Sequence, residues 1–443
     1  MALPIALALG ITLLTGPNPG QPEPDVYQVA TEPPRLLLRP QRLRLLQRER
    51  QRQSMRWEHF DALVRGGARL PEPGFALALH YQVTRNAESG KRALTWALGP
   101  GEDLRQLALV LDWCRPLSGP QETAALVGRI ERALAALRSE QTVPAVRSRV
   151  LAAVAVADER PQLAAAELRE IVQHWWRGRI VPGLKQGRPI PRADHYALLE
   201  MMHVLRDNLY LDLREDAPWF FKELPLYQLM SYYPASYPAP ENEYRIPASA
   251  SAQPDLVAAM LSRAAELAMV AYEPNAQETQ YLQGWVMQDR FWMRHPLGIT
   301  YEFLWANPYH PGLTYHSLPL VLYDKNFGRL FLRSSWEEEA EWLGCFDGIR
   351  QRFAGGRPLV LGAEAAGSIF RVGEAVVVVV DKQMRFHIAE PAGPVFLAGL
   401  KPETCYDVEV DEEEMRQECS DKGGLLALPA GSWRGIRLRP SPR

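Results

Sequence analysis

Residues 307–312 read NPYHPG, and the chain changes character there. Upstream, from roughly Pro40 to Phe303, apolar residues recur at intervals of three and four. DLRQLALVLDWC (103–114), QETAALVGRIERALAALRSE (121–140), PAVRSRVLAAVAVADE (144–159) and QPDLVAAMLSRAAELAMVAYEP (253–274) each follow that rule. Pro, Gly or Ser separates the runs, which marks successive helices with short joints. Such an array forms a bundle or a closed toroid of hairpins. Downstream the runs are short, rich in Val, Phe and Leu, and bounded by Gly or charge: GRLFLRSSW, AEWLGCF, RPLVLGA, SIFRVG and EAVVVVVD. These are strands, and the expected architecture is a β-sandwich.

The division this gives is 1–24 as a possible signal segment and linker, 25–312 as the helical domain and 313–443 as the sandwich. A length of 443 residues suits two domains. Ala2–Leu14 is an apolar run too short to span a bilayer but long enough for a signal-peptide core. It reads as an atypical secretion signal, because no Lys or Arg precedes it; a misplaced start or a structured extension are the alternatives. The expected location is secreted or periplasmic. The formal net charge of −2 argues against a nucleic-acid partner. The arginine-rich run from Arg39 reads as a solvated helix face, with a polyanion contact as the lesser alternative. The four cysteines have no zinc-type spacing. Cys405 and Cys419 either pair in an oxidising compartment or stay free. No P-loop or dinucleotide fingerprint is present, and neither a metal nor another cofactor is expected.

Two stretches carry candidate chemistry. In RADHYALLEMMHVLRDN (192–208) and its continuation, a helix beginning at an Asp194 N-cap places Tyr196, Glu200, His203, Asp207, Tyr210 and Arg214 on one stripe. The stripe contains no lysine, unlike an ordinary solvated face. Aromatic residues flank it: Trp175 and Trp176 in WWRGRIVPG, and the tyrosines of YYPASYPAPENEYRIP (232–247), Tyr244 among them. Aromatic faces beside Arg and carboxylate groups suit a sugar cleft. The second stretch, GITYEFLWANPYHPGLTYHS (298–317), holds Tyr301, Trp305, Asn307, Tyr309, His310 and His316 at the inferred domain junction. An aromatic interface between domains is the plain reading of that cluster. A carboxylate pair such as Glu200 and Asp207 would alternatively serve a glycoside hydrolase.

The order of segments resembles the heparinase II/III-like and alginate-lyase-like polysaccharide lyases. PRLLLRPQRLRLLQR (34–48), LALVLDWCRPLSGPQ (107–121), LFLRSSWEEEAEWLG (330–344) and DHYALLEMMHVLRDN (194–208) carry the resemblance. It implies an incomplete (α/α) toroid followed by an antiparallel β-sandwich, an acidic, uronate-containing polysaccharide as partner, and β-elimination. Tyr196 is then the base and acid, His195 or His203 its partner, and Arg206 a neutralising or substrate-binding cation. Trp175, Trp176, Asp207, Tyr244, Tyr301, Trp305, Asn307, Tyr309, His310 and His316 are the expected substrate contacts. Two parts of the family pattern are missing. The helix before the tyrosine segment has no Asn-His pair, and no histidine follows RSSW in GCFDGIRQRFAGG. A glycan-binding protein of the same fold without turnover is therefore the alternative function.

Overall fold

The computed structural model describes residues 27–67, 69–238, 243–250, 254–288, 295–389, 393–412, 415–428 and 435–441. The apolar run Ala2–Leu14 lies outside them. The helices are α1 (Pro40–Gln51), α2 (Met55–Arg65), α3 (Pro73–Thr84), α4 (Ala87–Leu98), α5 (Leu104–Cys114), α6 (Pro120–Leu137) and α7 (Val143–Ala155). They continue with α8 (Pro161–Glu170), α9 (Val181–Lys185), α10 (His195–Leu209), α11 (Pro218–Met230), α12 (Leu256–Tyr272), α13 (Gln277–Gln288) and α14 (Pro296–Trp305). Ile171–Ile180 joins α8 to α9 as a π-helical stretch.

Successive inner helices pack side by side: α3 on α5, α5 on α7, α7 on α10, α10 on α12, α12 on α14, and α14 back onto α2. Between them, α4, α6, α8, α11 and α13 lie outside. This is an (α/α) toroid, and burial explains who stands where. Every residue of α5 is buried, as are nearly all of α3, α7 and α10. Helices without a solvent face must be enclosed, whereas α4 and α6 bury one stripe only and take the outside.

The last toroid helix ends at Trp305. Beyond a two-residue ribbon, β1 (Tyr237–Pro238) with β2 (Glu243–Tyr244), the strands follow from Val321. A five-stranded meander contains β3 (Val321–Asp324), β4 (Arg329–Arg333), β5 (Trp342–Phe346), β6 (Ile349–Ala354) and β7 (Arg357–Val360). Then come β8 (Ile369–Val372), β9 (Ala375–Val379), β10 (Arg385–His387), β11 (Val395–Ala398), β12 (Cys405–Val410), β13 (Arg416–Cys419), β14 (Leu425–Leu428) and β15 (Gly435–Pro440). They form two further sheets, ordered β14-β11-β9-β8 and β10-β15-β12-β13. Pairing is antiparallel except between β9 and β11.

The sandwich is thus three sheets deep, and the strand alternation shows how it stacks. In β4 and β5, Leu330, Leu332, Leu343 and Cys345 face the middle sheet, while Phe331, Trp342 and Phe346 face the toroid. In the middle sheet, Val377 and Phe396 face the meander; Val376, Val378, Val395 and Leu397 face the third sheet. EAVVVVVD is an unbroken apolar run because both faces of β9 are covered. In the third sheet Cys405 and Cys419 stand opposite each other on β12 and β13 and are disulfide-bonded. No helix among the described residues is long and apolar enough to cross a membrane.

The toroid and the meander share one core. Trp342 is fully buried and its Nε1 donates to Met230 O at 2.9 Å. Tyr233 donates to Gln351 Oε1 at 2.8 Å and stacks on Phe353. Arg333 of RSSW donates to Tyr232 O at 3.1 Å. The proline-rich loop therefore spends Tyr232 and Tyr233 on joining the domains. Trp342→Ala is expected to cost about 3–5 kcal/mol, as for other buried tryptophans. Denaturant unfolding followed separately in the helical and strand signals should then resolve two transitions; a single unshifted one would show that this contact does not couple the domains.

Candidate functional site

The polar stripe of α10 faces inward. As an inner helix it is flanked by α7 and α12, so Tyr196, Glu200 and His203 are each 3% exposed or less. Asp194 precedes the helix without a side-chain cap. The stripe also ends early. Tyr210 takes a left-handed conformation (φ 57°) that closes α10 and is exposed, and Arg214 lies beyond it, paired with Asp212 and Glu273.

Glu200 is the centre of a buried ionic cluster. Arg105 donates to it through Nε at 2.8 Å and Nη2 at 2.7 Å, and Arg147 through Nη1 at 2.5 Å. Arg105 also donates to Glu72 at 2.9 Å and stacks over Phe75 and Tyr301. Burial alone would raise the Glu200 pKa, but Arg105 and then Arg147 outweigh it and hold it at about 2. Tyr196 donates its hydroxyl proton to Glu200 at 2.9 Å and accepts from Trp305 Nε1 at 3.1 Å. Burial first, and the Glu200 charge second, push its pKa well above the ordinary tyrosine range. The nearby Arg105 works the other way without prevailing.

The two histidines are neutral core groups. Burial and Arg192 bring His195 down to about 3; its ring bonds Ile190 O and the Gln228 amide. Burial and Arg42 drive His203 well below the usual imidazole range, and its Nε2 bonds Ala268 O at 2.9 Å. Trp175 and Trp176, expected at a sugar cleft, are also fully buried, with their indole N–H groups on Gln141 O and Asp216. Tyr301 and Trp305 are buried too: Tyr301 packs edge-on to Tyr196, and Trp305 contacts the His203 ring and the Arg42 guanidinium. The Tyr244 side chain lies outside the described residues. His316 is exposed beside Glu337.

The accessible site lies one helical turn farther along α10. A cavity of about 760 Å³ opens between α1, the C-terminal ends of α10 and α12, and the segment after α14. Six expected residues line it: His203, Arg206, Asp207, Asn307, Tyr309 and His310. With them stand Arg39, Arg42, Arg44 and Arg48, so five guanidiniums face one carboxylate. Three helices end here, and their last carbonyls hold three of these arginines: Arg39 on Arg206 O, Arg42 on Leu304 O and Arg206 on Tyr272 O. Cations at helix C-termini are favourable. Asp207 pairs with Arg39 at 2.6 Å. Burial, and the crowding by Arg206 and Arg39 against the help of Asp207, lower Arg42 to about 10, so it stays charged. Arg206 Nε and His310 Nδ1 are buried without a hydrogen-bond partner. No protein-family model matches the chain, and no curated protein matches it.

The sequence held two signals for these groups. Arg105 is the one cation of α5, a helix otherwise dominated by apolar residues, the mark of a buried pair. The Arg39 run, read as a solvated face, puts Arg42 and Arg44 against the cavity. Carboxylates that a hydrolase would use are both occupied by guanidiniums. Among the described residues no group of three His, Cys, Asp or Glu is gathered for a metal.

Two outcomes are expected. Glu200 has its pKa depressed in the fold, so its contribution is present above pH about 4.5 and is lost as pH falls toward 2; the difference is worth about 3 kcal/mol. His195, also depressed, adds a loss that begins below pH about 6.5. Acid unfolding should therefore start near the histidine range and steepen below it, and His195→Gln should reduce the first phase without removing it, because His203 is depressed as well. Separately, Gly284 on α13 packs against the cavity segment so closely that a Cβ would meet Leu313 O at 1.8 Å. Gly284→Ala should displace residues 307–313 and reshape the cavity wall, which hydrogen exchange of that segment would detect.

Proposed function

We propose that this protein holds an acidic saccharide in the arginine-lined cavity and does not cleave it through Tyr196. The observation that carries the reading is the contrast between two places on α10. At Tyr196 the phenol is a donor to a carboxylate already neutralised by two guanidiniums. An elimination base must lose its proton at working pH; burial and the Glu200 charge keep it on this hydroxyl, and Arg105 and the Trp305 hydrogen bond do not outweigh them. At Arg206 the helix meets an open cavity with a large excess of positive charge.

Guanidiniums bind carboxylates and sulfate esters through paired charge-assisted hydrogen bonds. Uronate chains and sulfated chains carry such groups. The toroid-plus-sandwich plan and the resemblance of RSSW and the 194–208 stretch to polysaccharide lyases support the same ligand class. The Cys405–Cys419 bond suits an oxidising compartment, and so supports a secreted or periplasmic location.

Elimination remains the competing reading, favoured by one contact: Arg105 Nη2 lies 3.5 Å from the Tyr196 oxygen. The two are separated by incubation with a panel of uronate-containing and sulfated oligosaccharides. Titration calorimetry should detect binding, with Arg206→Ala costing about 1.5–3 kcal/mol, as for charge-assisted bonds. No ultraviolet absorbance from an unsaturated product should appear. Product formation that Tyr196→Phe abolishes would overturn the binding reading.

A further inference from the structure

The arginines of α1 do not stop at the cavity. Arg39 at the N-cap, Arg42, Arg44 and Arg48 line it, and Arg52 at the C-cap continues the row to Tyr309. At the helical rise the row is about 20 Å long. Arg44 and Arg48 stand four residues apart, so they share one face of the helix. Both are exposed, and neither makes a side-chain hydrogen bond or ion pair among the described residues. The one acid of α1, Glu49, is 3% exposed and is held by Arg56. The helix therefore presents an uninterrupted line of positive charge, broad enough for several units of a chain and too long for one sugar.

The cavity lining gives a second observation. His310 Nδ1 is a buried polar atom without a hydrogen-bond partner, whereas buried polar groups are nearly always bonded. Arg206 is held in the same lining by Tyr272 O at 2.6 Å and by Asp207, whose Oδ1 lies 3.6 Å from its Nε.

We propose that the cavity seats one unit of a linear acidic polysaccharide while α1 holds the neighbouring units along Arg44, Arg48 and Arg52. This rests on the acidic-saccharide reading and adds chain length and direction to it. A single-stranded nucleic acid fits less well, because it needs a row of open aromatic faces on which bases stack. The cavity offers Tyr309; the ring of Tyr272 is covered by Arg206 at 3.6 Å and Arg214 at 4.8 Å.

The test is binding of the full chain to size-defined sulfated and unsulfated uronate oligosaccharides, from disaccharide to octasaccharide, over a range of salt. Affinity should rise roughly tenfold or more with length, and its logarithm should fall linearly with the logarithm of salt, through counterion release. The surface variant combining Arg44→Gln and Arg48→Gln should fold normally, reduce that slope by about two, and penalise the octasaccharide more than the disaccharide. Equal affinity for disaccharide and octasaccharide overturns the track but leaves the acidic-saccharide reading intact. Absence of binding at every length overturns both. Tighter binding of a single-stranded RNA of matched charge overturns the choice of polysaccharide.

Discussion

One carboxylate, Glu200, accepts from Arg105 and Arg147, and four inner helices are tied together there. Glu72 at the start of α3, Arg105 in the first turn of α5, Arg147 on α7 and the Tyr196–Glu200 turn of α10 meet at one point, and Trp305 brings in α14. Charges taken from water are tolerated only when paired and hydrogen-bonded. Here two carboxylates meet two guanidiniums, and a phenol fills the remaining acceptor position. Removing one partner from such a cluster leaves a buried charge, so each member holds the others in place. The cavity lies farther along α10, at its C-terminal end.

At that other end the governing constraint is the meeting of three helix C-termini. The carbonyls of the last turns carry partial negative charge, and most have no partner within the helix. Arg39, Arg42 and Arg206 supply both donors and charge, and doing so fixes their guanidiniums at the cavity wall. The same packing that completes the helices therefore builds the cationic cavity. Arg44 and Arg48 have no such structural task, which sets them apart as groups available to a ligand.

Much of the fold is legible in the sequence because it rests on periodicity. The shift at NPYHPG from apolar spacing of three and four to short β-branched runs gives helices before strands, and the last toroid helix ends at Trp305 while the main strands start at Val321. The third sheet layer was not legible. An unbroken run such as AVVVV says only that both faces are covered, not what covers them. The local reading of 194–208 was correct about the spacing of Tyr196, Glu200, His203 and Asp207, but a stripe that lines a cleft and a stripe that is ion-paired inside a core have the same spacing.

What the sequence by itself determined was the kind of each segment, its period and the residues that share a face, because these depend on neighbours along the chain. Tertiary structure alone decided which face met water. The partners of Glu200 come from 95 and 53 residues away, and Asp207 is met by Arg39 from the first helix. Burial and charge compensation at such distances depend on how whole helices pack. That is why Tyr196 became a fixed donor in the core, while an arginine run that looked like ordinary surface became the wall of the cavity.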